Sequence, residues 1–213
     1  NNMKQFGLAM HNYHDSYGHL PAATHPNEDL EPEQRLSWMA SVLPFMDQQA
    51  LWRSINFDEA WDAGDNAEAA DMQIPSYINP ATIGLNANET HYVGIAGVGK
   101  DAATLPANHK RAGIFGYNRK TRFRDITDGT SNTMAVSEAS HSFGPWAQGG
   151  AATLRSLTQK PYINGPDGIG GPYPGGINAG MTDGSVRFIS ENIDPEVFKA
   201  LITISGGERI GAF

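Results

Sequence analysis

The chain has 213 residues, with 39% apolar and only 18% charged side chains, 24 glycines and 13 prolines. That is a loop-rich globular composition, neither disordered nor collagenous. A formal charge of −8 argues against non-specific nucleic-acid binding, which needs a basic face. The absence of cysteine excludes disulfides, zinc thiolate sites and thiol catalysis.

The first predicted element is a helix over residues 1–20. Met3, Phe6, Met10, Tyr13, Tyr17 and Leu20 recur at alternating spacings of three and four, an apolar seam of helical period. Gly18 and Pro21 stop it. No cap marks its start, so the periodicity fits both the C-terminal half of a longer helix and a short terminal helix. A polar loop follows over 22–32. Residues 33–54 read as one or two helices broken near Pro44, with Leu36, Met39, Val42 and Leu43 on one face. The stretch 56–75 is turn-rich with one helical turn at 66–72. Residues 91–97 read as a strand, and 121–139 as strand, polar loop, strand. Residues 144–176 are rich in Gly and Pro and read as irregular loop.

Residues 177–190 carry the clearest hairpin signal. With Asp183-Gly184 as a two-residue type I′ turn, Thr182 pairs with Ser185, Met181 with Val186 and Ala179 with Phe188. That register puts Ala179, Met181, Val186 and Phe188 on one apolar face. Asp194-Pro195 then supplies an N-cap and an N1 proline for a last helix over 195–204, closed by Gly206-Gly207. A helical start followed by strands without regular βαβ alternation argues for an α+β fold with an antiparallel sheet.

Several stretches invite chemical readings. GIAGVGKD (94–101) comes within one residue of a P-loop, but Asp101 stands where a hydroxyl should meet magnesium, and Pro106 interrupts the helix that should follow. A glycine-rich loop after a strand is the better reading. In DITDGTSNT (125–133), Asp125 and Asp128 flank a tight turn and are candidate calcium ligands, although the EF-hand spacing is absent. Asx and Ser/Thr side chains bonding their own backbone explain the same loop. His11 and His14 lie three apart beside the helical seam and read as exposed polar positions rather than a metal pair. Ser137, Glu138 and His141 are neighbours in sequence, but no G-x-S-x-G accompanies them. The four tryptophans fit a core better than a sugar platform. None of these patterns specifies an enzyme or an obligatory cofactor.

The order of longer stretches does suggest a family. NNMKQFGLAMHNYHDSYGHLP (1–21) resembles the helix that follows the cleavage site in type IV pilins and type II secretion pseudopilins. LSWMASVLPFMDQQALW (36–52), FDEAWDAGDN (57–66), GIFGYNRKTRFRDITDGTSNTMAVSE (113–138) and GGPYPGGINAGMTDGSVRFIS (170–190) resemble the pilin-like family called domain of unknown function 1559. The resemblance implies one pilin-like head over 1–213, with 1–20 as the C-terminal half of a long helix and 21–213 as the α+β head. It further implies an upstream apolar segment that anchors the protein in the cytoplasmic membrane, an extracytoplasmic head, and partners among pilin-like subunits or secretion machinery. It implies a structural role without enzymatic activity. An extracytoplasmic binding module for a glycan, peptide or small solute is the alternative. Two positions depart from the family pattern: Tyr173 stands where a His precedes Asp183-Gly184, and Asn79-Pro80-Ala81 where Cys-Pro-Ser is common. Tyr cannot replace that His as a cation or imidazole ligand.

Overall fold

In a computed structural model, which describes residues 1–82, 86 and 88–208, a five-stranded sheet divides two apolar cores. Its order is β5 (Leu154–Leu157), β2 (Tyr92–Val98), β3 (Met134–Glu138), β6 (Gly176–Met181), β7 (Val186–Ser190). The α+β class is as expected from the sequence. Four strands run as antiparallel neighbours, while β5 pairs parallel to β2 at one edge. A separate two-stranded ribbon joins β1 (Glu89–Thr90) to β4 (Gly144–Pro145).

Helix α1 (Asn2–Tyr17) lies on one face of the sheet. Its seam behaves as the spacing predicts through Met3, Phe6 and Met10, all buried, and Leu20 is buried beyond the helix end. The seam fails at Tyr17, which is exposed and rests on the rings of Tyr13 and Phe45. Gly18 closes the helix, its N–H donating to the His14 carbonyl at 2.7 Å. The close approach of α1 to the sheet depends on Gly7. A Cβ there would sit 2.8 Å from the Gly184 Cα, so the helix backbone rests directly on the β6–β7 turn.

The same core takes in α2 (Trp38–Val42), a 3₁₀ turn at Leu43–Phe45 and α3 (Gln49–Ser54), with the break at Pro44 as the sequence predicts. The Ser37 hydroxyl caps α2 by accepting from Met39 N at 3.1 Å. Helix α4 (Gly64–Ala70) fills the turn-rich stretch. On the opposite face of the sheet, α5 (Pro195–Leu201) closes the second core with Phe198 and Leu201. Asp194 caps α5 through Glu196 N and Val197 N. The helix ends earlier than expected, at Leu201, and by Ile204 the backbone N–H has left the helix to donate to Ala112 O.

Three sequence expectations are corrected. The hairpin register is shifted by one residue: Gly180 opposes Val186, Ala179 opposes Arg187 and Asn178 opposes Phe188. Only Gly184 of the turn has positive φ (82°); Asp183 is not among the positive-φ residues. A type I′ turn needs both, so the chain forms a wider turn, with Gly184 N donating to Met181 O and Met181 N to Ser185 O. The Asp183 carboxylate holds it by accepting from Ser185 N and Oγ. One residue of slip turns every β7 side chain over, so Ile189 is buried and Phe188 is 58% exposed. The second correction is at 121–126, where a 3₁₀ turn (Phe123–Asp125) replaces the expected strand. Asp125 pulls it closed by accepting from the Arg122 backbone N–H and guanidinium. The third is β5 itself, a strand inside the stretch expected to be irregular. Its partner, β2, lies about 60 residues away in the chain, and a single such strand carries no local turn signal.

Candidate functional site

Each residue flagged from the sequence has a definite place. After β2, Gly99-Lys100 turn into a 3₁₀ segment (Ala102–Thr104), not the helix a P-loop needs. Asp101 forms a two-pronged pair with Arg111, both contacts 2.7 Å, and these hydrogen bonds pull its carboxyl down to about 2. Asp128 accepts from Gly206 N (2.7 Å) and Gly207 N (3.0 Å), tying the segment after α5 to the 127–130 turn. Burial pushes the Asp125 carboxyl up, but the bonds from Arg122 outweigh it and leave it lowered. Asp125 and Asp128 therefore act as acceptors for the protein's own donors. Among the described residues no group of three or more His, Asp and Glu is placed to hold a metal ion.

The histidines of α1 are not the exposed pair expected. Both are half-buried and lie tilted against the Phe123 ring, with centroids at 4.8 Å for His11 and 4.1 Å for His14. His11 Nε2 also meets Thr182 O at 2.9 Å. Ser137, Glu138 and His141 do not converge. The Ser137 hydroxyl donates to the Glu138 backbone carbonyl, while the His141 ring contacts Ser142 and Gly165. Trp38 and Trp146 are core residues whose indole N–H groups donate to Thr153 O and Met72 O.

Two constellations are assembled by the fold from distant segments. The first surrounds Glu138, at the end of β3 and 4% exposed. Its carboxylate accepts from Asn79 Nδ2 (2.9 Å), Asn178 N (2.8 Å) and Asn178 Nδ2 (3.3 Å). Asn79 N in turn donates to His91 Nδ1 at 2.6 Å, which leaves the proton on Nε2. That Nε2 is buried and has no partner among the described residues. Burial lowers the His91 pKa, against an opposing pull from Glu89, so the ring is neutral at pH 7. Tyr92 lies opposite Glu138 and bonds Asn2 of α1 at 3.3 Å. Burial, with the fields of Glu138 and Tyr173 added and the Asn2 bond opposing, pushes its phenol up to about 12. Of the two positions that depart from the resembled pattern, Asn79 holds Glu138, and Tyr173, 46% exposed, adds to the field on Tyr92.

The second constellation is a cleft of about 1120 Å³ between the 103–110 loop, the 117–125 segment and the start of the 31–35 turn. Six cations line it, Arg35, Lys110, Arg119, Lys120, Arg122 and Arg124, against two carboxylates, Glu31 and Asp125. Arg119 forms its floor at 7% exposure. Among the described residues its guanidinium donates to carbonyls alone, those of Ala96, Ala102, Leu105 and Phe115, and its Nε has no partner. Burial lowers its pKa to about 10, which still leaves it charged at neutral pH. The basic run 119–124 was the available sequence signal: four cations within six residues of an acidic chain.

Comparison with known proteins returned no match among curated proteins and none among solved structures. One family model matches residues 1–144 and again 141–196, which together span most of the chain. The chain therefore belongs to the family described as Protein of unknown function (DUF1559).

Proposed function

We propose that the chain is a non-enzymatic structural subunit, the extracytoplasmic head of a membrane-anchored, pilin-like or pseudopilin-like protein of a surface filament or type II secretion system. The observation that carries this reading is the seating of α1. An amphipathic helix at the head of the chain lies along a largely antiparallel sheet, buries Met3, Phe6 and Met10, and is pinned at Asn2 to Ile78 O and the Tyr92 hydroxyl. Such a helix, rigidly held by its head, can transmit force or position between an anchor and the globular part. No helix among the described residues is long and apolar enough to cross a membrane; in the proposed reading the anchor is an apolar segment ahead of Asn1.

The test uses the intact gene in its native cells. Membrane fractionation, protease shaving and terminal mass spectrometry are expected to find the protein in the membrane fraction with its head outside. An apolar segment of about 20 residues should lie directly ahead of Asn1, processed by a prepilin peptidase. Recovery from the cytoplasm with no such segment overturns the reading.

A further inference from the structure

We propose that the basic cleft binds an acidic polysaccharide, through sulfate or carboxylate groups carried on a polar sugar chain. The inference stands apart from the pilin-like reading, since it concerns a surface of the head alone. Its first support is charge segregation. A chain of net charge −8 gathers six of its fifteen Lys and Arg residues around one cleft. Of the two carboxylates there, Asp125 is already paired with Arg122 at 3.2 Å. Lys110, Lys120 and Arg124 are exposed, and among the described residues none forms a salt bridge. A concave surface of one sign focuses the field and raises the local concentration of anions.

The second support is an unmet demand in the floor. Arg119 keeps a positive charge in a buried position where it donates to carbonyls and, among the described residues, pairs with no carboxylate, an arrangement that costs free energy until an anion approaches. Its Nε is unpartnered, and so is the buried Ser205 hydroxyl on the same cleft. The third support is the rest of the lining. Asn108, Asn118, Thr104 and Thr127 offer amides and hydroxyls suited to sugar hydroxyls, and Tyr117 is half-buried. Among the described residues none of the large exposed apolar side chains (Leu8, Tyr17, Met72, Tyr173, Phe188) lies in the cleft, and its one aromatic, Tyr117, is half-buried, unlike the open aromatic platforms on which single-stranded bases stack.

The test is isothermal titration of the purified protein with dextran sulfate, polygalacturonate, neutral dextran and poly(dT). Dextran sulfate or polygalacturonate is expected to bind, more weakly as salt rises, while neutral dextran does not. Which of the two binds better assigns the anionic group. The Lys110→Gln/Lys120→Gln/Arg124→Gln variant changes only exposed side chains. It is expected to retain the parent's thermal midpoint and lose affinity about tenfold. A charge-matched variant elsewhere, Lys4→Gln/Arg53→Gln/Lys160→Gln, is expected to bind like the parent. The proposal is overturned by no binding of either acidic polysaccharide, by equal loss in the two triple variants, or by poly(dT) binding more tightly than both polysaccharides.

Discussion

Replacing Phe6 with Ala tests how α1 is held to the head. Phe6 is fully buried, and its ring lies 5.4 Å from each of three others, Trp38, Tyr77 and Tyr92. Truncating a buried Phe costs about 3–5 kcal/mol, and the value depends on how far the surroundings collapse. Here they are tied down. The Tyr77 hydroxyl donates to Met39 O at 2.9 Å, the Trp38 indole donates to Thr153 O at 3.0 Å, and the Tyr92 hydroxyl is bound by Asn2. Moving any of these rings into the hole breaks a hydrogen bond worth about 1 kcal/mol, so the cavity stays open. The three ring pairs add to the loss. The expected cost is therefore in the upper part of the range, about 4–5 kcal/mol. Urea unfolding followed by tryptophan fluorescence should show the midpoint falling by roughly 2 M at unchanged slope. Leu8→Ala, at a position 62% exposed on the same helix, should change stability by no more than about 0.5 kcal/mol. A cost below about 1 kcal/mol for Phe6→Ala would refute the argument that α1 is an integral part of the core.

Two further expectations follow from the hairpin and from His91. Ile189→Ala should cost about 2–5 kcal/mol and Phe188→Ala less than about 1, read by the same urea titration; the reverse order would restore the two-residue turn register. In the unfolded chain His91 titrates near about 6.5, and burial holds it lower in the fold. The unfolded state therefore takes up more protons as pH falls below that value, so the His91 contribution is complete above it and is lost on acidification. Calorimetry from about pH 7.5 to 5.5 should show the thermal midpoint falling, with a shallower fall in His91→Gln. His25, also lowered by burial against a pull from Asp58, keeps the variant's slope from vanishing. A parent midpoint that is flat across this window would count against a neutral, buried His91.

The signals that proved readable are those carried by a few adjacent residues. The apolar spacing of Met3, Phe6 and Met10 with Gly18 determined α1; Asp194-Pro195 determined the start of α5; Pro44 determined the break after α2. In each case backbone sterics or a side chain bonding its own backbone acts within one helical turn. Asp183-Gly184 located a turn but not its kind. Asp183 bonds Ser185 and keeps a negative φ, so the register passed to the wider turn and to the packing of Ile189 under α5. What the tertiary structure decided lies between distant segments. Leu154–Leu157 becomes a strand because β2 offers it an edge, and Asn79, His91, Glu138 and Asn178 become one network because β2, β3 and β6 run side by side. The cleft has the same origin. Lys110 and Arg35 reach the 119–124 run only through the folded chain, and Arg119 gains its buried, uncompensated position from carbonyls on β2 and two loops. Helices and turns depend on local backbone bonding, whereas shared burial and electrostatic fields depend on distance in space, and no sequence period encodes that distance.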